Sequence, residues 1–296
     1  MADVVFAAVP TPFAADGSLD LACARRLHAF LADRADGLLV AGTTGEFPAL
    51  DEDERLVLID TAIDVLGPDR IIAHIGAPDA YRAVRLAREA SLLGASRIAA
   101  ITPYYLAASP AEVTEYYLRI REAAPEPELY AYIFPERTGL TVAPQQFCEL
   151  ADAVGLAGAK FSGVAARNVA ECAAARPGLR IFSGDDTDLA ATLRAGGAGI
   201  ISARASAFPE VFSGLSAAIA AAAGGADSDG DHDGEVAARQ ADVSAIASLG
   251  QSIGLVKEAL RVRGFGPMAA RMAVAEPDAA TAARVAELVK SLAPGD

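Results

Sequence analysis

Eight short apolar runs recur along the chain. They begin at Val4 (VVFAAV), Gly37 (GLLVAG), Arg70 (RIIAHI), Ser96 (SRIAAIT), Glu128 (ELYAYIF), Leu156 (LAGAK), Leu179 (LRIFSG) and Ala198 (AGIIS). The stretches between them carry apolar residues at helical spacing, most clearly over 51–66 and 80–93. Several of these open with helix-start signals, at Asp51, at Ser109-Pro110 and at Asp186. The strand runs are apolar on both faces, as strands are when helices cover a parallel sheet on each side. Eight strand–helix units in about 220 residues predict a (β/α)8 TIM barrel. The competing doubly wound sheet is expected to place a glycine-rich phosphate loop after an early strand. Neither G-x-G-x-x-G nor G-x-x-x-x-G-K-[ST] occurs.

After the eighth unit the pattern changes. The reading divides the chain into a barrel over 1–224 that carries the site, an acidic linker over 225–235, and a C-terminal helical domain over 236–296. Within the linker, Asp229-Gly230-Asp231-His232-Asp233-Gly234 matches the first half of a calcium-binding loop. Position twelve of such a loop needs a bidentate acid and is Gln240 here, so a solvated acidic loop is the favoured reading.

Composition narrows the function classes. The 296 residues carry 25 basic and 39 acidic side chains, a formal net charge of −14, which argues against nucleic acid or an anionic membrane surface as partner. Aromatic residues are sparse and tryptophan is absent, leaving little for base stacking. No apolar stretch reads as a membrane span, and the N-terminus lacks the basic and apolar regions of a signal peptide. Cys23, Cys148 and Cys172 lie far apart in helical-looking segments and read as buried free thiols of a cytoplasmic protein. His28, His74 and His232 show no metal-ligand spacing, and no G-x-S-x-G nucleophile motif is present. Asp185-Asp186 reads equally as a magnesium pair or as a strand-end turn and helix cap.

In a barrel of this kind chemistry belongs at the C-terminal ends of the strands. Lys160 ends the sixth run. Lysine is used only three times against 22 arginines, at 160, 257 and 290, and Lys160 is the one lysine before the tail. An amine on an apolar strand is costly to keep charged, and lysine, unlike arginine, can lose its proton there and act as a nucleophile. The plainer reading is a buried, salt-bridged lysine. Alternation puts Tyr130, Tyr132 and Phe134 on one face of the fifth strand, and Leu156, Gly158 and Lys160 on one face of the sixth. With both faces turned inward, the Tyr132 phenol meets Lys160 at the mouth, placed to move protons on a forming carbinolamine. Thr43 and Thr44, between Gly42 and Gly45, form a turn suited to a small carboxylate or a phosphate. Arg137 offers a planar fork for a carboxylate, or a surface salt bridge.

Taken together, these positions resemble the dihydrodipicolinate synthase / N-acetylneuraminate lyase family of pyruvate-dependent class I aldolases. The resemblance runs along the whole chain: Val9-Pro10-Thr11-Pro12-Phe13, G-T-T-G-E at 42–46, T-P-Y-Y at 102–105, Tyr132 with Pro135, Lys160, and S-G-D-D at 183–186. It implies a TIM barrel with a C-terminal helical extension, a homotetramer built as a dimer of dimers, and no cofactor or metal beyond a covalent lysine–pyruvate imine. Lys160 would form that imine, and Tyr132 would be the central proton-transfer residue. Thr43 and Thr44 would hold the pyruvate carboxylate, with Thr44 also relaying protons, and Tyr105 would complete the relay from a neighbouring subunit. Gly184 and Ile201 match backbone positions lining the pocket. Arg137 matches the arginine that binds the aldehyde partner's carboxylate in the synthase branch.

Some positions depart from the family pattern. Leu106-Ala107-Ala108 follows Tyr105, Ile133-Phe134 follows Tyr132, Phe161-Ser162 follows Lys160, and Phe47-Pro48 follows Glu46. The segment Ala77-Pro78-Asp79-Ala80-Tyr81 lacks the polar pattern of a feedback-lysine site, so lysine inhibition is not expected. The leading expectation is condensation of pyruvate with an aldehyde such as aspartate semialdehyde. Cleavage of a 2-keto-3-deoxy or sialic-acid-like sugar acid is the alternative, and a non-catalytic keto-acid-binding protein the third reading.

Overall fold

A computed structural model describes residues 4–187, 189–224 and 232–292. The eight runs become β1 (Val5–Ala8), β2 (Gly37–Val40), β3 (Ile71–His74), β4 (Arg97–Ile101), β5 (Glu128–Ile133), β6 (Gly158–Phe161), β7 (Arg180–Ser183) and β8 (Gly199–Ser202). All pair in parallel in sequence order, and β8 pairs back onto β1 with Val5 opposite Ile200, closing the barrel. Strand alternation sorts the side chains into two layers. Phe6, Ala8, Leu39, Ile72, Ala99, Tyr130, Phe182 and Ile201 fill the inside, with Phe6 and Phe182 edge to face at 5.5 Å. Val5, Ala7, Leu38 and Val40 point outward into the layer beneath the helices.

The helices begin where the local chemistry asks for it. Asp51 caps Glu52–Leu66 and Ser109 caps Pro110–Ala123, each through a reciprocal capping box with Glu54 or Glu112. Asp79 caps Ala80–Leu92. Asp186 also makes contacts that the helix-start signal did not announce. Its carboxylate is buried, accepting from Ser202 Oγ and paired with Arg204. The helix that follows is described over Leu189–Arg194.

Three helices follow Pro209–Gly224: His232–Ala247, Ile253–Val262 and Ala279–Leu292. The first starts inside the stretch read as linker, and its opening turn carries Asp233 and Glu235, where acids complement the helix dipole. Residues 225–231, with the first three of the six positions of the calcium-loop match, lie outside the described residues. Val243, Ile246, Val256, Leu260, Val285 and Val289 belong to the same apolar cluster as the barrel's outer layer, so the C-terminal helices share the barrel's core. All three cysteines are buried. Among the described residues, no helix is long and apolar enough to cross a membrane.

Candidate active site

The β5–β6 register sets Tyr132 directly opposite Lys160. The Lys160 ammonium nitrogen lies 4.7 Å from the centre of the Tyr132 ring, and both side chains are buried. No carboxylate among the described residues pairs with Lys160, whereas Lys257 is held by Glu46. Among the described residues, the buried lysine salt bridge is that of the other lysine.

The Tyr132 hydroxyl lies 3.2 Å from Thr43 Oγ1. Thr43 is thus the hydroxyl hydrogen-bonded to the phenol, beside the Thr44 for which the relay is expected. Adjacent residues of a turn send their side chains to different sides, and the motif alone does not say which one faces the tyrosine. Thr44 is buried and lines the same cavity. That cavity, of about 220 Å³, gathers Thr43, Thr44, Tyr132, Arg137, Lys160, Gly184 and Ile201, seven of the eight expected site residues. A Cβ at Gly184 would fall 2.0 Å from Ser162 Oγ, so a side chain there requires the serine to move. Arg137 is exposed at the rim, its guanidinium carbon 5.5 Å from the Phe134 ring centre. Tyr105 is not part of this assembly. It is 93% exposed, with a left-handed backbone (φ 78°), and beside it Leu106 is also exposed.

Several residues of the site were not singled out from sequence. Arg204 lines the cavity between Asp186 and the Gly250 carbonyl, which it reaches at 3.1 Å. Burial pushes the Asp186 carboxyl above its usual range, and the Arg204 charge opposes that push. Beneath the 42–46 turn sits His74, fully buried, its ring 6.0 Å from that of Tyr132 and 4.6 Å from that of Phe47. His74 Nδ1 lies between an acceptor and a donor, 3.0 Å from the Ala41 carbonyl and 3.2 Å from Arg55 Nη2. Burial foremost, and then the Arg55 charge, holds the imidazole well below its ordinary pKa and neutral. The one signal that could have found part of this set was lysine rarity, which applied to Lys257 as much as to Lys160. Among the described residues, no group of three or more His, Cys, Asp or Glu is gathered as a metal site would need.

A buried lysine and a tyrosine meeting at the C-terminal mouth of a (β/α)8 barrel, with hydroxyls beside them, is the equipment of a class I aldolase, an enzyme that works through a lysine Schiff base. Residues 1–291 match the Dihydrodipicolinate synthetase family, and the chain belongs to that family. Its members are class I lyases and aldolases of the metal-independent, Schiff-base kind. A 4-hydroxy-tetrahydrodipicolinate synthase of Synechococcus sp. (strain CC9605) is 37% identical over 201 residues, 67% of this chain and 67% of that one. An uncharacterized DapA-like lyase of Halobacterium salinarum is 32% identical over 267 residues, 88% of this chain and 84% of the relative. Among solved structures, YagE, an E. coli prophage protein of the dihydrodipicolinic acid synthase family crystallised with pyruvate, superposes with a TM-score of 0.86. It is 26% identical, and 98% of each chain is covered.

Proposed function

We propose that this enzyme condenses pyruvate with an aldehyde that carries a carboxylate, aspartate semialdehyde being the model case. The unprotonated Lys160 amine attacks the pyruvate carbonyl, and loss of water from the carbinolamine leaves an iminium. That cation acidifies the pyruvate methyl group. Loss of a methyl proton gives an enamine whose carbon attacks the aldehyde, and water then releases the 4-hydroxy-2-oxo acid and restores Lys160. The Tyr132 hydroxyl shuttles the protons of carbinolamine formation and breakdown, with Thr43 as its hydrogen-bonded neighbour. Thr43 and Thr44 hold the pyruvate carboxylate at the turn, Gly184 and Ile201 border it, and Arg137 receives the carboxylate of the aldehyde at the rim.

The observation that carries this reading is the approach of Lys160 to Tyr132 inside a cavity that also presents Thr43 and Thr44. The identity to synthases supports the choice of aldehyde. Exposure of Tyr105 and Leu106 supports assembly as a homotetramer of paired dimers, in which Tyr105 enters a neighbouring copy's site. The barrel over 1–224 and the helical region after the linker form one working unit, placed in the cytoplasm.

Intact mass after pyruvate and borohydride, followed by peptide mapping, tests the proposal. One reduced pyruvate on Lys160 is expected, with none on the Lys160→Ala variant. A folded protein that takes up no pyruvate would refute it. Turnover restricted to sugar acids in a panel of aldehydes and 2-keto acids would refute the choice of acceptor and leave the imine intact.

A further inference from the structure

The turn that carries Thr43 and Thr44 is bracketed by two residues in a conformation that side chains resist. Ala41 (φ 54°) precedes it and Glu46 (φ 56°) ends it, both left-handed and neither a glycine. Such strain persists only where the surroundings over-determine it. At the first end, His74 Nδ1 lies 3.0 Å from the Ala41 carbonyl. At the second, the carboxylate of Glu46 is fully buried and fully occupied. Oε1 accepts from Lys257 Nζ, and Oε2 accepts from the backbone N–H of Arg271 (2.9 Å) and of Met272 (2.7 Å). Lys257 is itself fixed by the Ala269 carbonyl at 2.6 Å and by the Phe13 ring, 4.8 Å from its nitrogen. The Arg271 guanidinium extends the same clasp to Glu54 and to the Ala49 carbonyl just beyond the turn. Between the two ends, Thr11 Oγ1 donates to the Gly45 carbonyl at 2.6 Å.

We infer that Glu46 and Lys257 are positioning residues. They lock the 42–46 turn in the geometry in which Thr43 and Thr44 receive a keto-acid carboxylate, so the C-terminal segment sets the affinity of the barrel's site. The inference rests on the reading of those threonines given above. Neither residue touches the substrate. Glu46 cannot be a proton carrier for it, because both of its oxygens are engaged away from the cavity. An ordinary buried ion pair would need only one oxygen and one nitrogen. Here a left-handed glutamate collects three donors from a segment more than two hundred residues away, and it does so at the last position of the substrate-facing turn.

The amide of Glu46→Gln places an N–H group where only acceptors fit, against Lys257 or against two backbone N–H groups, and so unseats the turn. The test is borohydride trapping at graded pyruvate, read as the concentration giving half-maximal adduct on Lys160, alongside steady-state kinetics. For Glu46→Gln the half-maximal pyruvate and the KM for pyruvate are expected to rise about tenfold, with kcat within about threefold and the KM for the aldehyde unchanged. A merely structural role would give the opposite split: less folded enzyme, a lower apparent kcat and an unchanged KM.

Glu46→Gln leaves the Lys257 ammonium buried beside an amide, so the double variant Glu46→Gln/Lys257→Met, which removes both charges, is measured with it. The same rise in pyruvate KM in the double variant supports the inference. Unchanged half-maximal pyruvate in a folded variant would overturn it and leave the Schiff-base reading standing. Absence of any adduct in the wild type would overturn both.

Discussion

Replacing Tyr132 by phenylalanine separates a proton-transfer role from a packing role by magnitude alone. The substitution deletes one oxygen and keeps the ring, so the contact with Lys160 at 4.7 Å and the packing against His74 and Phe134 remain. What is lost is the 3.2 Å hydrogen bond with Thr43. A neutral hydrogen bond of that length contributes about 1 kcal/mol net, which as a pure positioning effect on the barrier is roughly a fivefold change in rate. Loss of a general acid–base group costs about 10²- to 10⁴-fold, or ~3–5 kcal/mol of barrier. The two ranges do not overlap. Turnover is measured with saturating pyruvate and aldehyde, with thermal unfolding as the check on folding. The expected outcome is a kcat at least a hundredfold lower at nearly unchanged unfolding temperature, together with slower formation of the borohydride-trapped adduct. A loss below about tenfold in a folded enzyme would refute the assignment of Tyr132 as the proton carrier.

The two threonines are expected to differ. Thr43→Val lowers kcat more than Thr44→Val does, because only the Thr43 hydroxyl reaches Tyr132, and equal effects in parallel kinetics would contradict that geometry. Arg137→Met is expected to raise the KM for a carboxylated aldehyde about tenfold or more while leaving a neutral aldehyde of similar size unaffected. Competition between the two aldehydes reads this directly. His28 supplies a stability prediction. Burial, and to a lesser extent the charge of Arg25, lowers its pKa to about 4 from an ordinary 6.5, so the unfolded chain binds the extra proton first as the medium is acidified. The stability this residue contributes is therefore complete above pH 6.5 and is lost as pH falls towards 4, on the order of 3 kcal/mol in all. Urea unfolding at stepped pH should show a shallower acid slope in His28→Leu than in the wild type, and identical slopes would refute the point.

How much was legible in the chain follows from the range of each interaction. Strands are local patterns, and every run read as a strand holds one, the pattern overshooting only at ends such as Val4, which precedes β1. Capping is equally local, which is why Asp51 and Ser109 were found as helix starts. The pairing of Lys160 with Tyr132 required only alternation on two adjacent strands, and the register bears it out. What escaped depends on residues brought together by closure of the barrel. The pairing of Asp186 with Arg204 was missed because nothing near Asp186 in sequence announces a neighbour across β7 and β8. The resemblance gave the relay to Thr44, and the hydrogen bond of Thr43 with Tyr132 was not foreseen, since it depends on the rotation of one turn. Lys257 read as a tail residue because its partner, Glu46, precedes it by 211 positions.

That separation has a consequence for how the enzyme comes into being. The second barrel loop is made well before its three donors, the farthest being 226 residues downstream. At a translation rate of about 5–20 residues per second, the Glu46 carboxylate waits roughly ten to forty-five seconds for its partners. In the later part of that interval Tyr132 and Lys160 have been made, while the groups that hold the end of the 42–46 turn have not. The buried contacts of Glu46 therefore form only after the segment from Lys257 to Met272 has been made and folds back onto the barrel.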